Sequence, residues 1–190
     1  MKLVFATHNK NKFIEVNALL PSYIDLLNLD DIGCFDEIPE TAETIAENAM
    51  LKADYVRLHY REDCFADDTG LEVSSLNNEP GVYSARYAGP GKDAAANTRK
   101  LLSKLKGSDD RSARFKTVIA LRMKNQQILF EGICDGTIAE EPRGKGGFGY
   151  DPVFIPDGYN ETFAEMPLSL KSEIGHRGKA MRQLIAYLKE

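Results

Sequence analysis

Cys64-Phe65-Ala66-Asp67-Asp68-Thr69-Gly70-Leu71-Glu72-Val73 is the stretch on which the reading of this chain turns. An apolar, β-prone run leads into two adjacent carboxylates, a Thr-Gly pair follows, and Leu71-Glu72-Val73 alternates again. The pattern predicts a strand that delivers Asp67 and Asp68 to its end, with Thr69-Gly70 turning or kinking the chain there. Successive side chains on an extended chain point to opposite sides, so only one of the two acids can face a given cleft. Two carboxylates at a buried strand end need a cation, a hydrogen-bond shell or a raised pKa. The plainer alternative is an Asx-type turn capped by its own backbone.

Upstream, Lys2 to Ala6 reads as a short buried strand that runs into Thr7-His8-Asn9-Lys10-Asn11-Lys12. A helix follows, with Phe13, Val16, Leu19 and Leu20 at helical spacing and Pro21 closing it. Strand, polar loop and helix start together offer backbone N–H groups and a positive dipole end to an anion. Lys10 and Lys12 add charge there and Asn9 adds donors, although no Gly-rich Walker loop is present. Tyr23 to Leu29 reads as a second strand and Asp30 to Thr41 as an acidic connection. Thr44-Ile45-Ala46-Glu47 has the form of a capping box, starting a helix to about Tyr60 that stacks Asn48 and Lys52 on one face.

Downstream, Asn77 to Gly81 reads as a turn, Val82 to Pro90 as an aromatic loop with one Arg, and Asp93 to Lys106 as a helix. Ala113–Met123 and Gln127–Cys134 read as a hairpin, with Asp135–Ala139 continuing as another strand. Gly144-Lys145-Gly146-Gly147-Phe148-Gly149 spells the letters of a dinucleotide fingerprint, but a strand must precede that motif and a helix must follow it. Glu140 to Arg143 precede it and a strand start at Pro152 follows, so this is a glycine loop that brings backbone close to a ligand and presents Phe148, Tyr150 and Asp151. An aromatic ring there can stack on a base, and an Asp can accept from ring N–H groups. Glu161 to Met166 is expected to form one helical turn. Lys171 to Lys179 is a basic cluster, suited to an anion or a carbonyl-rich base, that leads into an amphipathic last helix.

With 190 residues the chain is expected to be a single domain, 1–190, with a substantial core. Its net charge of -5 argues against general nucleic-acid or membrane-surface binding, which need a basic footprint. Cys34, Cys64 and Cys134 are odd in number, widely spaced and free of any CxxC pair, which suggests reduced thiols in a cytoplasmic protein. The short apolar run at Met1–Ala6 is not expected to be a signal peptide, and no stretch reaches membrane-spanning length. Cations and amides at one strand-helix junction, an acidic pair at another, an aromatic glycine loop and a Lys/His/Arg cluster together suggest a Mg²⁺-dependent nucleotide enzyme.

Six segments in order carry a resemblance: Thr7-His8-Asn9-xx-Lys12, Glu47-Asn48-Ala49-xx-Lys52-Ala53, Ala66 to Leu71, Pro80 to Tyr87, Gly146 to Pro152, and His176-Arg177-Gly178. The chain resembles the inosine triphosphate pyrophosphatase family, the dITP/XTP pyrophosphatases, over nearly its whole length. The resemblance implies an α/β fold: an elongated mixed β-sheet with flanking helices forming two lobes around a central substrate cleft, in a homodimer. It implies hydrolysis of deaminated purine nucleoside triphosphates (ITP, dITP, XTP) to the monophosphate and pyrophosphate. Thr7, His8, Asn9, Lys10, Asn11 and Lys12 would bind the triphosphate, and Lys52 would meet phosphate. Asp68 would be general base and Mg²⁺ ligand, with Glu40 or Glu47 completing the metal site and Thr69 beside the substrate. Phe148, Gly149, Tyr150 and Asp151 would enclose the purine, and Lys171, His176 and Arg177 would read its 6-oxo edge. Two positions depart from the family pattern: Gly175 stands where Ser is common, and His8 where Gly is common.

Overall fold

The computed structural model describes residues 1–189. The described chain divides into two compact units, each assembled from separate segments: 1–68, 117–132 and 177–189 in the first, and 69–116 and 133–176 in the second. The elements in chain order are β1 (Lys2–Phe5), α1 (Lys10–Asn17), β2 (Asp25–Leu27), α2 (Ile45–Tyr60), β3 (Cys64–Val73), β4 (Pro80–Gly81), α3 (Ala94–Lys104), β5 (Ser112–Met123), β6 (Gln126–Ile138), β7 (Phe154–Pro156), α4 (Leu168–Ile174) and α5 (His176–Leu188). The fold is α/β with a mixed sheet, as the resemblance implied: β1 pairs in parallel with β2 and β3, whereas β4 pairs antiparallel with β3 and β7 with β6. Among the described residues no helix is long and apolar enough to cross a membrane.

In the first unit both faces of the sheet are buried, which is why β1 reads as a continuous apolar run. Leu3, Phe5, Phe65, Ile119 and Leu121 point to one face, where they meet Val16 of α1 and Ala180, Met181 and Leu184 of α5. Val4, Ala6, Cys64, Ala66 and Ala120 point to the other, against Ala49, Ala53 and Val56 of α2. The alanines on that side let the helix lie close to the strands. Phe5 and Phe65 stack at 4.7 Å across the parallel pair.

The second unit is built around Leu71, Val73, Leu101, Leu105, Phe115, Phe154 and Phe163. Each fully buried side chain of this size removes apolar surface worth about 1.5–3 kcal/mol from water. That gain explains the main departure from expectation. β3 does not end at Asp68 but runs through Thr69-Gly70 to Val73, because Leu71 and Val73 are completely buried and Leu71 pairs with Gly81.

Smaller departures follow the same logic. The second strand shortens to Asp25–Leu27, with Tyr23 left largely exposed. The first helix stops at Asn17, although Leu19 and Leu20 still pack on its core. Asp135–Ala139 forms no separate strand, since β6 continues to Ile138. The stretch from Glu161 to Met166 is turn without helix, and the basic cluster is split between α4 and α5 by Gly175. Thr44 caps α2 as expected, the Glu47 amide donating to its hydroxyl oxygen at 3.2 Å, but the Glu47 carboxylate accepts from that hydroxyl at 2.8 Å and not from the Thr44 amide that a full capping box would use.

Candidate active site

The alternation of β3 decides what each acid meets. Asp67 shares the face of Phe65, which α1 and α5 cover, and Asp68 shares the face of Ala66, which α2 covers. Asp67 therefore accepts from Lys12 Nζ of α1 at 2.8 Å and from Arg177 Nε of α5 at 3.0 Å. Asp68 instead lies 3.5 Å from Lys52 Nζ of α2.

The two carboxylates differ sharply in character. Burial works against the charge of Asp67, but Lys12, Arg177 and Lys52 together outweigh it and hold the carboxyl well below the usual range. Burial also dominates at Asp68, and there Lys52 and Lys12 offset it only in part, so its pKa is raised. Asp67 is thus a fixed anion inside a cage of cations, and Asp68 is a carboxylate whose charge lacks full compensation. The cage extends to Glu15, whose carboxylate accepts from Arg177 Nη1 at 2.5 Å. Burial disfavours the Arg177 charge, and Asp67 and Glu15 more than restore it. Glu15 was missed from the sequence, though it follows Lys12 by three residues and so shares its helix face.

Around Asp68, Lys52 Nζ also donates to Glu40 at 2.5 Å. Burial lowers the affinity of this amine for its proton, and Asp68, Glu40 and Asp67 overcome that effect and raise it. Asn48, one turn before Lys52, steadies the segment after Glu40: its Oδ1 accepts from the Ala42 amide at 3.0 Å and its Nδ2 donates to the Ala42 carbonyl at 3.4 Å. Glu47 is exposed and its carboxylate is taken by the Thr44 hydroxyl. Of the two acids the sequence left open, Glu40 is the one that converges with Asp68 on a cation.

The loop before α1 differs from expectation. Two amides at the helix start are already occupied, because Asn9 Oδ1 accepts from the N–H of Asn11 at 3.0 Å and of Lys12 at 3.1 Å. Thr7 Oγ1 accepts from the Asn9 amide at 3.1 Å. His8 reaches the acidic connection, with Nδ1 3.2 Å from the Asp30 carboxylate and Nε2 3.1 Å from the Asp36 carbonyl oxygen. Lys10 and Asn11 are exposed, while Lys12 turns inward to Asp67.

The second unit gathers the glycine loop and the basic cluster. Asp151, buried, accepts from the Phe148 amide at 2.8 Å and from Lys171 Nζ at 2.6 Å. The Lys171 ammonium lies 4.8 Å from the Phe148 ring centroid. Gly147 has φ +67°, and a Cβ there would fall 2.0 Å from the Asp151 carboxylate, so only glycine fits. Tyr150 is 5% exposed and its hydroxyl donates to the Ser84 carbonyl at 2.8 Å, which makes it an anchor of the loop. His176 is buried and stacks on Phe115 at 4.5 Å. Thr69 and Gly149 belong to this unit too, and Arg177 to the first.

A family model described as the Ham1 family matches residues 3–187. The chain belongs to the Ham1 family. Two bacterial relatives are named dITP/XTP pyrophosphatase. That of Christiangramia forsetii is 63% identical over 188 residues, covering 99% of each chain. That of Porphyromonas gingivalis is 52% identical over 188 residues, covering 98% of this chain and 97% of its own. Among solved structures, the Ham1 protein of Staphylococcus aureus superposes with a TM-score of 0.90 at 36% identity, covering 100% of this chain and 98% of its own. A nucleoside-triphosphatase / dITP/XTP pyrophosphatase from Mycobacterium abscessus superposes with a TM-score of 0.78 at 39% identity, covering 97% of this chain and 99% of its own. Similarity to other Ham1 proteins therefore extends from end to end of the sequence in hand.

Proposed function

We propose that this Ham1 protein hydrolyses ITP, dITP and XTP to the nucleoside monophosphate and pyrophosphate, removing deaminated purines from the nucleotide pool. The observation that carries this reading is the divergence of two adjacent carboxylates, one locked by Lys12 and Arg177 and the other left under-compensated beside Lys52 and Glu40. The full-length relatives named dITP/XTP pyrophosphatase support the substrate class.

Thr7 to Lys12 and Lys52 bind phosphate. Asp68 orients the attacking water and accepts its proton, a role suited to a carboxylate with a raised pKa. Asp68 and Glu40 also fit a divalent cation, since they already converge on the Lys52 ammonium. Among the described residues no three His, Cys, Asp or Glu side chains gather as a ligand set. Two carboxylates are what Mg²⁺ needs, because it keeps several waters and takes further ligands from substrate phosphates. Bound there, Mg²⁺ would supply charge neutralisation on the phosphate oxygens.

On the purine side, Phe148 stacks on the base, and Gly149, Tyr150 and Asp151 shape the loop, with Thr69 beside the substrate. Lys171 and His176 read the 6-oxo edge, and Arg177 serves the acid pair by holding Asp67. Donors aimed at a 6-oxo group are left unpaired against the 6-amino group of adenine, which penalises ATP. The family resemblance further supports a cytoplasmic homodimer, and the interleaved chain supports treating 1–190 as one catalytic domain.

The test is to incubate the protein with Mg²⁺ and ITP, XTP, GTP or ATP and identify the phosphorus products. Pyrophosphate from ITP and XTP, lost in Asp68→Asn, is expected. Orthophosphate would overturn the mechanism, equal turnover of GTP the substrate class, and no product at all the enzymatic reading itself.

A further inference from the structure

The segment Pro80 to Tyr87 contains β4 and precedes α3. Its centre is Ser84, every polar atom of whose side chain and carbonyl is engaged. The Ser84 hydroxyl accepts from the Leu71 amide at 2.9 Å and donates to the Gly81 carbonyl at 2.6 Å. Its carbonyl oxygen accepts from the Tyr150 hydroxyl at 2.8 Å and from Asn97 Nδ2 at 3.4 Å. Asn97, on α3, is 3% exposed. Its Nδ2 also donates to the Ala85 carbonyl at 3.0 Å, and its Oδ1 accepts from the Ala88 amide at 2.6 Å.

We propose that Ser84 and Asn97 are positioning residues for purine recognition: together they set the point from which Tyr150 suspends the Phe148–Asp151 loop. The inference rests on the purine-binding role assigned to that loop. A buried phenol must find an acceptor, and the carbonyl of Ser84 is the one it meets. That carbonyl is itself fixed from two sides, by the serine hydroxyl bridging β3 to β4 and by the Asn97 amide spanning residues 84 to 88. Tyr150 precedes Asp151, whose carboxylate holds both the Phe148 amide and Lys171. A shift of the Tyr150 hydroxyl is therefore passed to the ring, amide and ammonium that would face the base. Misplacement of about 1 Å at a recognition group is enough to cost up to 100-fold in efficiency. The residues proposed to bind triphosphate, Thr7 to Lys12 and Lys52, belong to the first unit, so the inference expects their affinity to be kept.

The experiment compares wild type with Asn97→Ala, Ser84→Ala, Ser84→Thr and Tyr150→Phe. For each, kcat and KM for ITP are measured, together with inhibition of ITP turnover by inorganic tripolyphosphate. Asn97→Ala, Ser84→Ala and Tyr150→Phe are expected to raise KM about tenfold, one decade being about 1.4 kcal/mol. Their kcat and tripolyphosphate inhibition constant should stay within about twofold of wild type, and Ser84→Thr should restore KM. Tyr150→Phe removes a single hydroxyl, so it carries the same expectation should either alanine variant not fold. Unchanged KM in Tyr150→Phe overturns the inference alone. Equal losses in kcat and in tripolyphosphate affinity, a sign of general damage, also overturn it. If wild type does not turn over ITP, the functional reading and this inference fall together.

Discussion

Asp67→Asn and Asp68→Asn, isosteric changes at neighbouring positions, are expected to move stability in opposite directions. Asp67 is 1% exposed and accepts from two cations, Lys12 at 2.8 Å and Arg177 at 3.0 Å. An asparagine keeps one acceptor oxygen and turns an NH₂ toward the other cation. Hydrogen bonds to charged groups contribute about 1.5–3 kcal/mol each, and removing one partner of a buried pair costs about 3–5 kcal/mol. Arg177 keeps Glu15 at 2.5 Å, which places the expected loss near the lower end, about 3 kcal/mol. For a chain of this length that lowers Tm by roughly 6–12 °C.

Asp68 is the reverse case, because burial outweighs its cations and its charge opposes folding. Asp68→Asn should therefore raise Tm in the metal-free protein while abolishing turnover. The pH dependence separates the two. The depressed pKa of Asp67 gives stability that is complete above the unfolded carboxylate value, about 3.9, and is lost as pH falls through the folded value. The raised pKa of Asp68 gives stability that is present below the unfolded value and lost as pH rises through the folded one, so the advantage of Asp68→Asn should grow with pH. Urea unfolding in EDTA at several pH values measures both. Equal signs for the two variants, or an Asp67→Asn loss below about 1 kcal/mol, would refute the reasoning from the cage.

Three further outcomes are expected. Lys52→Met leaves Glu40 and Asp68 without their shared ammonium, so the metal-free protein should lose about 3 kcal/mol, and millimolar Mg²⁺ should raise its Tm more than that of wild type; an equal rise would argue against a metal between these two acids. Gly175→Ser should cost about 1–3 kcal/mol in urea unfolding, because a Cβ would stand 2.5 Å from the Lys171 carbonyl oxygen, and a neutral result would mean that α4 yields freely. Gly147→Ala should raise KM for ITP with little change in kcat, since its methyl would collide with the Asp151 carboxylate that holds Phe148 and Lys171; unchanged KM would separate this loop from the purine.

Much of this was legible in the chain. The Thr44 cap of α2, the glycine loop and the opposed directions of Asp67 and Asp68 all follow from local rules of turn chemistry and strand period. The partner of each acid was not legible, because it depends on which helices cover which face of the sheet. Arg177 reaches Asp67 across 110 residues, and no local pattern announces that contact. Thr69-Gly70 misled for a related reason: a local break signal lost to the burial of Leu71 and Val73 in a core assembled from distant segments. At Asn9 the donors were legible but the acceptor's use was not: Oδ1 caps α1 by accepting from the Asn11 and Lys12 amides, a contact that forms only once the helix starts there.

The boundaries between the two units fall inside β3, β5 and β6 and at the first residues of α5. Neither unit can be excised as a single contiguous fragment, and no one recombination point would exchange one for a counterpart from another gene. A lineage that altered which base this scaffold accepts would have to do so by substitutions in place, residue by residue, with the phosphate machinery inherited alongside. Domain shuffling, the fast route to new specificity in many enzymes, is closed to this one by the path of its own chain.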